Sequence, residues 1–165
     1  MNSGLFKKTE EDYGTEYKNH LFEQYKLFIE SAERVSDRRQ SANNYFLAIN
    51  TAIFSFLGLI YEIKLKDISI ICILLSIVGI FICGIFFFLI NSYKQLNSGK
   101  FKVIHEIEQK LPLALYQREW EILGEGKNKC QYWPFSHIEI KIPFIFGLIY
   151  LILLIIYILT IVHKL

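Results

Sequence analysis

Proline is scarce, 3 in 165 residues, and glycine, serine and proline never gather into a linker, so the chain shows no separable second domain. Cysteine is equally sparse. Cys72 and Cys83 lie in an apolar run and Cys130 in a polar segment; the odd count and the absence of C-x-x-C spacing argue against a zinc site and a disulfide framework. The first residues, MNSGLFKKTEEDYGTEY, lack an apolar core and a small-residue cleavage site, so no secretory signal is expected and insertion falls to the chain's own spans. A net charge of +2 leaves no basic stripe for a nucleic-acid backbone. No internal repeat is visible. His105, Glu106 and Glu108 come nearest to a metal set, but adjacent positions point to different helix faces, so a solvated surface is expected, with no metal and no cofactor.

What the chain does have is apolar residues in long blocks where a soluble core would show short periods, which places it among membrane proteins. The expected fold is an all-α membrane protein with three transmembrane helices per protomer and a small cytoplasmic helical cap, assembled as a ring. Residues 1–14 read as a flexible N-terminal tail. Residues 15–42 read as an amphipathic helix, because Leu21, Tyr25, Phe28, Ala32 and Val35 recur at alternating spacings of four and three. Glu23, Lys26, Glu30, Glu33 and Asp37 fall away from that seam. The seam suits either the protein's own soluble part or a contact between subunits.

The helix is expected to run without a break into a first span, residues 43–61. There Tyr45, Ile49, Ile53, Phe56 and Ile60 make a bulky apolar stripe, while Asn43, Asn44, Ala48, Asn50, Thr51, Ser55 and Gly58 occupy the rows opposite. An asparagine inside a bilayer is costly unless it is bonded across helices or wetted, so that face belongs against protein or water. A tight connection, EIKLKD, leads to a second span, residues 68–90, where Ser76, Gly79, Cys83 and Gly84 offer small residues for close helix packing. Residues 91–142 read as a cytoplasmic helical segment. Helical spacing persists through Leu96, Val103, Ile104, Ile107 and Leu111 until Pro112, and a shorter piece over 114–123 carries Trp120 and Glu121 before the glycines of LGEGKNK stop it. Ser136 and Glu139 fit a capping box ahead of a third, chargeless span, residues 143–162, with Pro143 in its first turn. That span is expected to be lipid-facing scaffold.

Charge sets the expected topology. Seven Lys and Arg residues precede the first span, eight lie between the second and third, and Lys64, Lys66 and Lys164 remain for the other side. By the positive-inside rule the N-terminus and residues 91–142 are cytoplasmic and the C-terminus faces out.

Three spans cannot enclose a water-filled path in one protomer, since a helix, at about 10 Å across, is as wide as such a path. A ring of identical chains can. Asn43, Asn50, Thr51 and Ser55 are the candidate pore-lining residues, with Arg38, Arg39 and Asn44 at the cytoplasmic mouth or in a partner contact. The same residues would equally serve hydrogen bonds within a packed bundle, or lipid phosphate in the case of the arginines. A catalytic alternative rests on Arg38 with Asn43 and Arg39 with Asn44, an R-x4-N spacing near a degenerate R-x4-6-H ribonuclease signature. Asparagine cannot act as a general base, and His20, His105 and His137 are distant in sequence, so no enzyme is expected.

The segments EQYKLFIESAERVSDRRQSANNYFLAINTAI, SYKQLNSGKFKVIHEIEQKLP, EWEILGEGKNK and FSHIEIKIP span nearly the whole chain. In them it resembles the RipA-like octameric membrane protein family of bacteria, especially the membrane accessory protein of type VI-B CRISPR systems. The resemblance implies a homo-octamer forming a pore in the lipid bilayer of the bacterial inner membrane. It further implies a role in antiviral defence, exerted when the RNA-guided ribonuclease of the same locus senses phage RNA, with no direct nucleic-acid binding by this chain. A divergent HEPN-type ribonuclease motif also comes with the resemblance, but its histidine is missing here. Two other readings stay open: a membrane-tethered RNA-binding or RNA-cleaving module, and a non-conducting scaffold.

Overall fold

The computed structural model describes residues 4–63, 68–127, 132 and 136–163. Cys130 and most of the EIKLKD connection lie outside them. The elements are α1 (Glu10–Tyr13), α2 (Tyr17–Ile63), α3 (Ile68–Glu108), α4 (Leu115–Ile122), a 3-10 turn (Gly124–Gly126), α5 (Ser136–Glu139) and α6 (Ile142–Val162). No strand occurs among the described residues. Three helices, α2, α3 and α6, are long and apolar enough to cross a membrane.

The absence of proline before Pro112 explains the two longest elements. α2 has 47 residues and α3 has 41, so they extend about 70 and 60 Å at 1.5 Å per residue. A hydrocarbon core is about 30 Å thick. Each helix therefore carries a span and a projecting half, and the two projecting halves form the cap. α4 ends where Gly124, Glu125 and Gly126 all take positive φ, at 68°, 53° and 70°, as expected of the glycine stop. Part of the expected tail is structured: Thr9 accepts from the Asp12 amide to start α1, and Tyr13 packs edge-on against Tyr17 and His20.

In the spans, α3 presents Ser69, Cys72, Ser76, Gly79, Cys83, Phe86 and Ile90 at alternating spacings of three and four, and every one is buried. Small side chains here let α6 and α2 approach closely. Gly84, expected in this seam, lies outside it: one position from Cys83 it points about 100° away and an added Cβ would meet open space. The pivotal glycine is Gly79, where an added Cβ would fall 2.5 Å from the Tyr150 ring of α6. Around that contact runs an aromatic stack, with Phe46 on Phe86 at 4.0 Å, Phe146 edge-on to Phe46 at 5.5 Å, and Phe54 on Tyr150 at 5.0 Å.

Most of α6 is exposed, as a lipid-facing span would be, with few side chains turned inward. Phe144, Ile145, Leu148, Leu151 and Ile152 are exposed, but Tyr150 is completely buried. In the cap the structure decides between the two readings of the N-terminal seam: Tyr25, Ala32 and Val35 pack on the protein's own α3 half, where Lys100 donates to Ser31 at 2.7 Å and lies over the Phe28 ring.

Gly79→Leu should therefore drive Tyr150 out of the core and lower the melting temperature of the detergent-purified protein more than Gly84→Leu does. An equal effect of the two would remove Gly79 from its role.

Candidate functional site

Polar groups within the first span fall into two sets, separated by helix geometry. Neighbouring residues project about 100° apart, so Asn50 and Thr51 cannot share a face. Asn50 is fully buried: its amide donates to the Phe46 carbonyl at 2.7 Å, and its Oδ1 accepts from the Tyr150 hydroxyl at 2.8 Å. Asn43 is also turned inward and donates to Glu139 Oε1. In the protomer, then, neither residue faces solvent, and the expectation that Asn43 and Asn50 line a lumen is corrected for both: their amides are engaged by α6 and α5.

The second set forms the exposed row. Asp37, Ser41, Asn44, Ala48, Thr51, Ser55, Gly58 and Glu62 are all exposed, at alternating spacings of four and three. Every member is small, polar or charged. The bulky stripe divides as well: Tyr45, Ile49 and Phe56 are exposed, whereas Ile60 is buried. α2 thus has three faces across the span, one buried, one bulky and apolar, and one small and polar.

At the cap end of the spans sits a knot built on Glu139, whose side chain is 1% exposed. Asn43 holds Oε1, and Arg39 Nε lies 3.5 Å from Oε2. That carboxylate binds α5 to α2 across 96 residues of sequence. The capping-box reading of Glu139 does not account for it, and the Ser136 side chain lies outside the described set. Arg38 is exposed, as is Asn44, which accepts from Gln40.

A second buried carboxylate organises the cap. Glu108, 1% exposed, accepts from the Tyr25 hydroxyl at 3.0 Å and from the backbone amides of Tyr116 and Gln117 at 2.9 Å each. It caps α4 from outside, supplying the acceptor that Ala114 cannot. Burial, then the hydrogen bond to Glu108, raises the Tyr25 phenol well above its ordinary value, and burial raises Tyr116 too, with Glu33, Glu119 and Glu108 adding. Trp120 is half-exposed on a cleft between α2, α3 and α4, while Glu121 lies on the outer surface with Arg118 and Gln117.

The ribonuclease-like spacing is not assembled as such: Arg39 and Asn43 converge on Glu139, and Arg38 stands apart on the surface. His105, distant in sequence, does line the same cleft as Arg39. Among the described residues no group of His, Cys, Asp and Glu is placed to hold a metal.

Tyr150, Glu139 and Glu108 organise the fold in roles that spacing did not assign them, Glu139 being expected as a helix cap and Glu108 as solvated surface. Each carries a signal in the sequence: a mid-span tyrosine able to meet an asparagine, and two acids set among isoleucines in HIEIKI and VIHEIE.

Among the described residues the regular structure is all helical, with three helices long and apolar enough to cross a membrane, a helical cap and a polar row left open on one span. The chain belongs to the octameric membrane protein family, whose model matches residues 22–159. Neither a curated protein nor a solved structure matches it.

Arg39→Ala leaves Glu139 buried without its cation, at a cost of roughly 3 kcal/mol, and Arg39→Ala with Glu139→Gln should regain much of it; additive losses in thermal melts would show that the two are not coupled. Because the Tyr25 phenol is raised in the folded cap, its stabilisation is fully present below the ordinary tyrosine value of about 10 and is lost as pH rises toward the folded value. Protease sensitivity of the cap should therefore increase above about pH 10, and Tyr25→Phe should flatten that rise.

Proposed function

We propose that eight copies form a ring in which the exposed row of α2 faces the axis and lines a pore. One observation carries this reading: Asn44, Thr51 and Ser55 remain exposed in a membrane-crossing helix whose other polar residues, Asn43 and Asn50, are bonded internally. Polar side chains facing lipid are unfavourable, and an axis of water or of neighbouring copies relieves them. Eight helices about 10 Å wide, side by side, leave an opening roughly 16 Å across, wide enough for ions and small solutes. Asp37 and Glu62 would bracket this lumen, with Arg38 near one mouth.

In this reading the pore sits in the bacterial inner membrane with the cap in the cytoplasm, as the lysine and arginine distribution favours. It acts without catalysis, permeabilising or depolarising the membrane as an accessory effector of CRISPR-type antiphage defence when a cytoplasmic RNA-guided ribonuclease is activated. Support for that biological role is the sequence resemblance described above.

Purified protein in dye-loaded liposomes should leak, and Thr51→Leu with Ser55→Leu should cut the leak about tenfold, since an apolar constriction dewets. Asn50→Leu should instead lower protomer stability and leave the leak per assembled ring near that of the parent. Undiminished leakage from the Thr51 and Ser55 variant would place the lumen on another face.

A further inference from the structure

The cap contains a cleft of about 550 Å3 between α2, α3 and α4, within the size range of small-molecule sites. α3 supplies its long wall: Lys94, Asn97, Phe101 and His105 follow helical spacing, and Lys102 borders it from about 100° around the helix. Lys94 comes four residues after Ile90, the last buried residue of the span seam, so the Lys94 end lies nearest the membrane-crossing region. Arg39 of α2 joins the same wall, and α4 contributes Tyr116, Glu119 and Trp120.

Two features set this cleft apart from an ordinary groove between helices. Its charge is unbalanced: Arg39, Lys94 and Lys102 face one carboxylate, Glu119. Arg39 is tied to Glu139 through Nε, while Lys94 and Lys102 have no ion-pair partner among the described residues. Flat aromatic surface is plentiful, with Phe101 edge-on to Tyr116 at 5.8 Å and Trp120 half-exposed.

Cations that hold a phosphate and rings that stack a base are complementary to one ligand chemistry. We propose that this cleft binds a mononucleotide, its phosphates held by Lys94, Lys102 and Arg39 and its base lying against Phe101 and Trp120. A phospholipid headgroup shares the phosphate but brings no ring, and so leaves the aromatic wall unused. The assignment does not depend on conduction, because its readout is binding.

Calorimetry on the full-length oligomer in nanodiscs of zwitterionic lipid would use ADP, adenosine and pyrophosphate as probes. ADP should bind, with adenosine and pyrophosphate each weaker by about tenfold or more, the scale of a lost charge-assisted contact. Lys94→Gln with Lys102→Gln should weaken ADP to a similar degree while the assembly elutes unchanged, and Trp120→Leu should bring ADP down to the affinity of pyrophosphate. Absence of ADP binding at millimolar concentration overturns the proposal. So does pyrophosphate binding as tightly as ADP. Loss of ADP binding specifically in phosphatidylglycerol nanodiscs would assign the cleft to a lipid headgroup and overturn the nucleotide reading; the wild-type comparisons decide the matter even where a variant fails to assemble.

Discussion

A side-chain amide in a hydrocarbon environment must find its partners within the protein, and the pairing of Asn50 with Tyr150 is where this fold meets that demand. The bond requires α6 to bring a hydroxyl to the middle of the bundle, and α3 to present no side chain where the ring must lie. Gly79 satisfies the second condition, since any Cβ there would collide with the ring. Once this contact is made, the facing of α2 within the protomer is set. The face with Phe46, Asn50 and Leu57 points inward, and the row through Asn44, Thr51 and Ser55 must point out. The polar exterior of the first span thus follows from how its polar interior is satisfied.

The same helix is fastened twice more, each time to a carboxylate from later in the chain. Glu139 engages Asn43 and Arg39 at the edge of the spans, and Glu108 engages Tyr25 farther along the cap. Both acids are almost fully buried; Glu108 is met by three hydrogen-bond donors, while Glu139 has the Asn43 amide on Oε1 and the Arg39 charge beside Oε2, and such pairing is what lets a buried carboxylate be tolerated. Glu108 also holds the first amides of α4, so one side chain connects α2, α3 and α4. Tyr25 and Arg39 are 14 residues apart on α2, about 21 Å along the axis. Three anchors spread over that distance and on to Asn50 tie α2 to α3, α4, α5 and α6.

Much of the architecture was legible in the sequence because it depends on simple quantities. Apolar run length marks the spans, proline placement marks the long helices, and the glycines of LGEGKNK mark the end of α4. The seam through Tyr25, Ala32 and Val35 was legible as a face, though its partner was not, since periodicity says which side is buried and not against what. The polar side of α2 was harder. Asn43, Asn50, Thr51 and Ser55 look like one set when a helix is divided into two halves, yet Asn50 and Thr51 diverge by about 100°. Assigning them to separate faces requires knowing that Tyr150 lies 100 residues later beside Asn50. Glu108 and Glu139 were obscured for a related reason: Glu108 reads as solvated surface and Glu139 as a helix cap until the donors that meet them, from α2 and α4, are in view.

The arrangement of surfaces on α2 limits how the two halves of the protein can influence one another. Ser36 and Arg39 line the cap cleft, whereas Asp37, Ser41 and Asn44 begin the exposed row about 100° or more around the helix. Occupancy of the cleft therefore leaves the row sterically clear. Any influence of one on the other must pass through the position of α2 itself. Between Ser36 and Leu57 the helix contains no glycine or proline and is helical throughout, so a local kink is disfavoured. Because those anchors tie α2 to the cap, a rearrangement at the cleft that reaches the row would carry α2 with α3 and α4 against neighbouring copies, a rigid-body movement of the kind that repacks subunit interfaces. Control in such a ring would reside in contacts between protomers, with the interior bond of Asn50 and Tyr150 left intact.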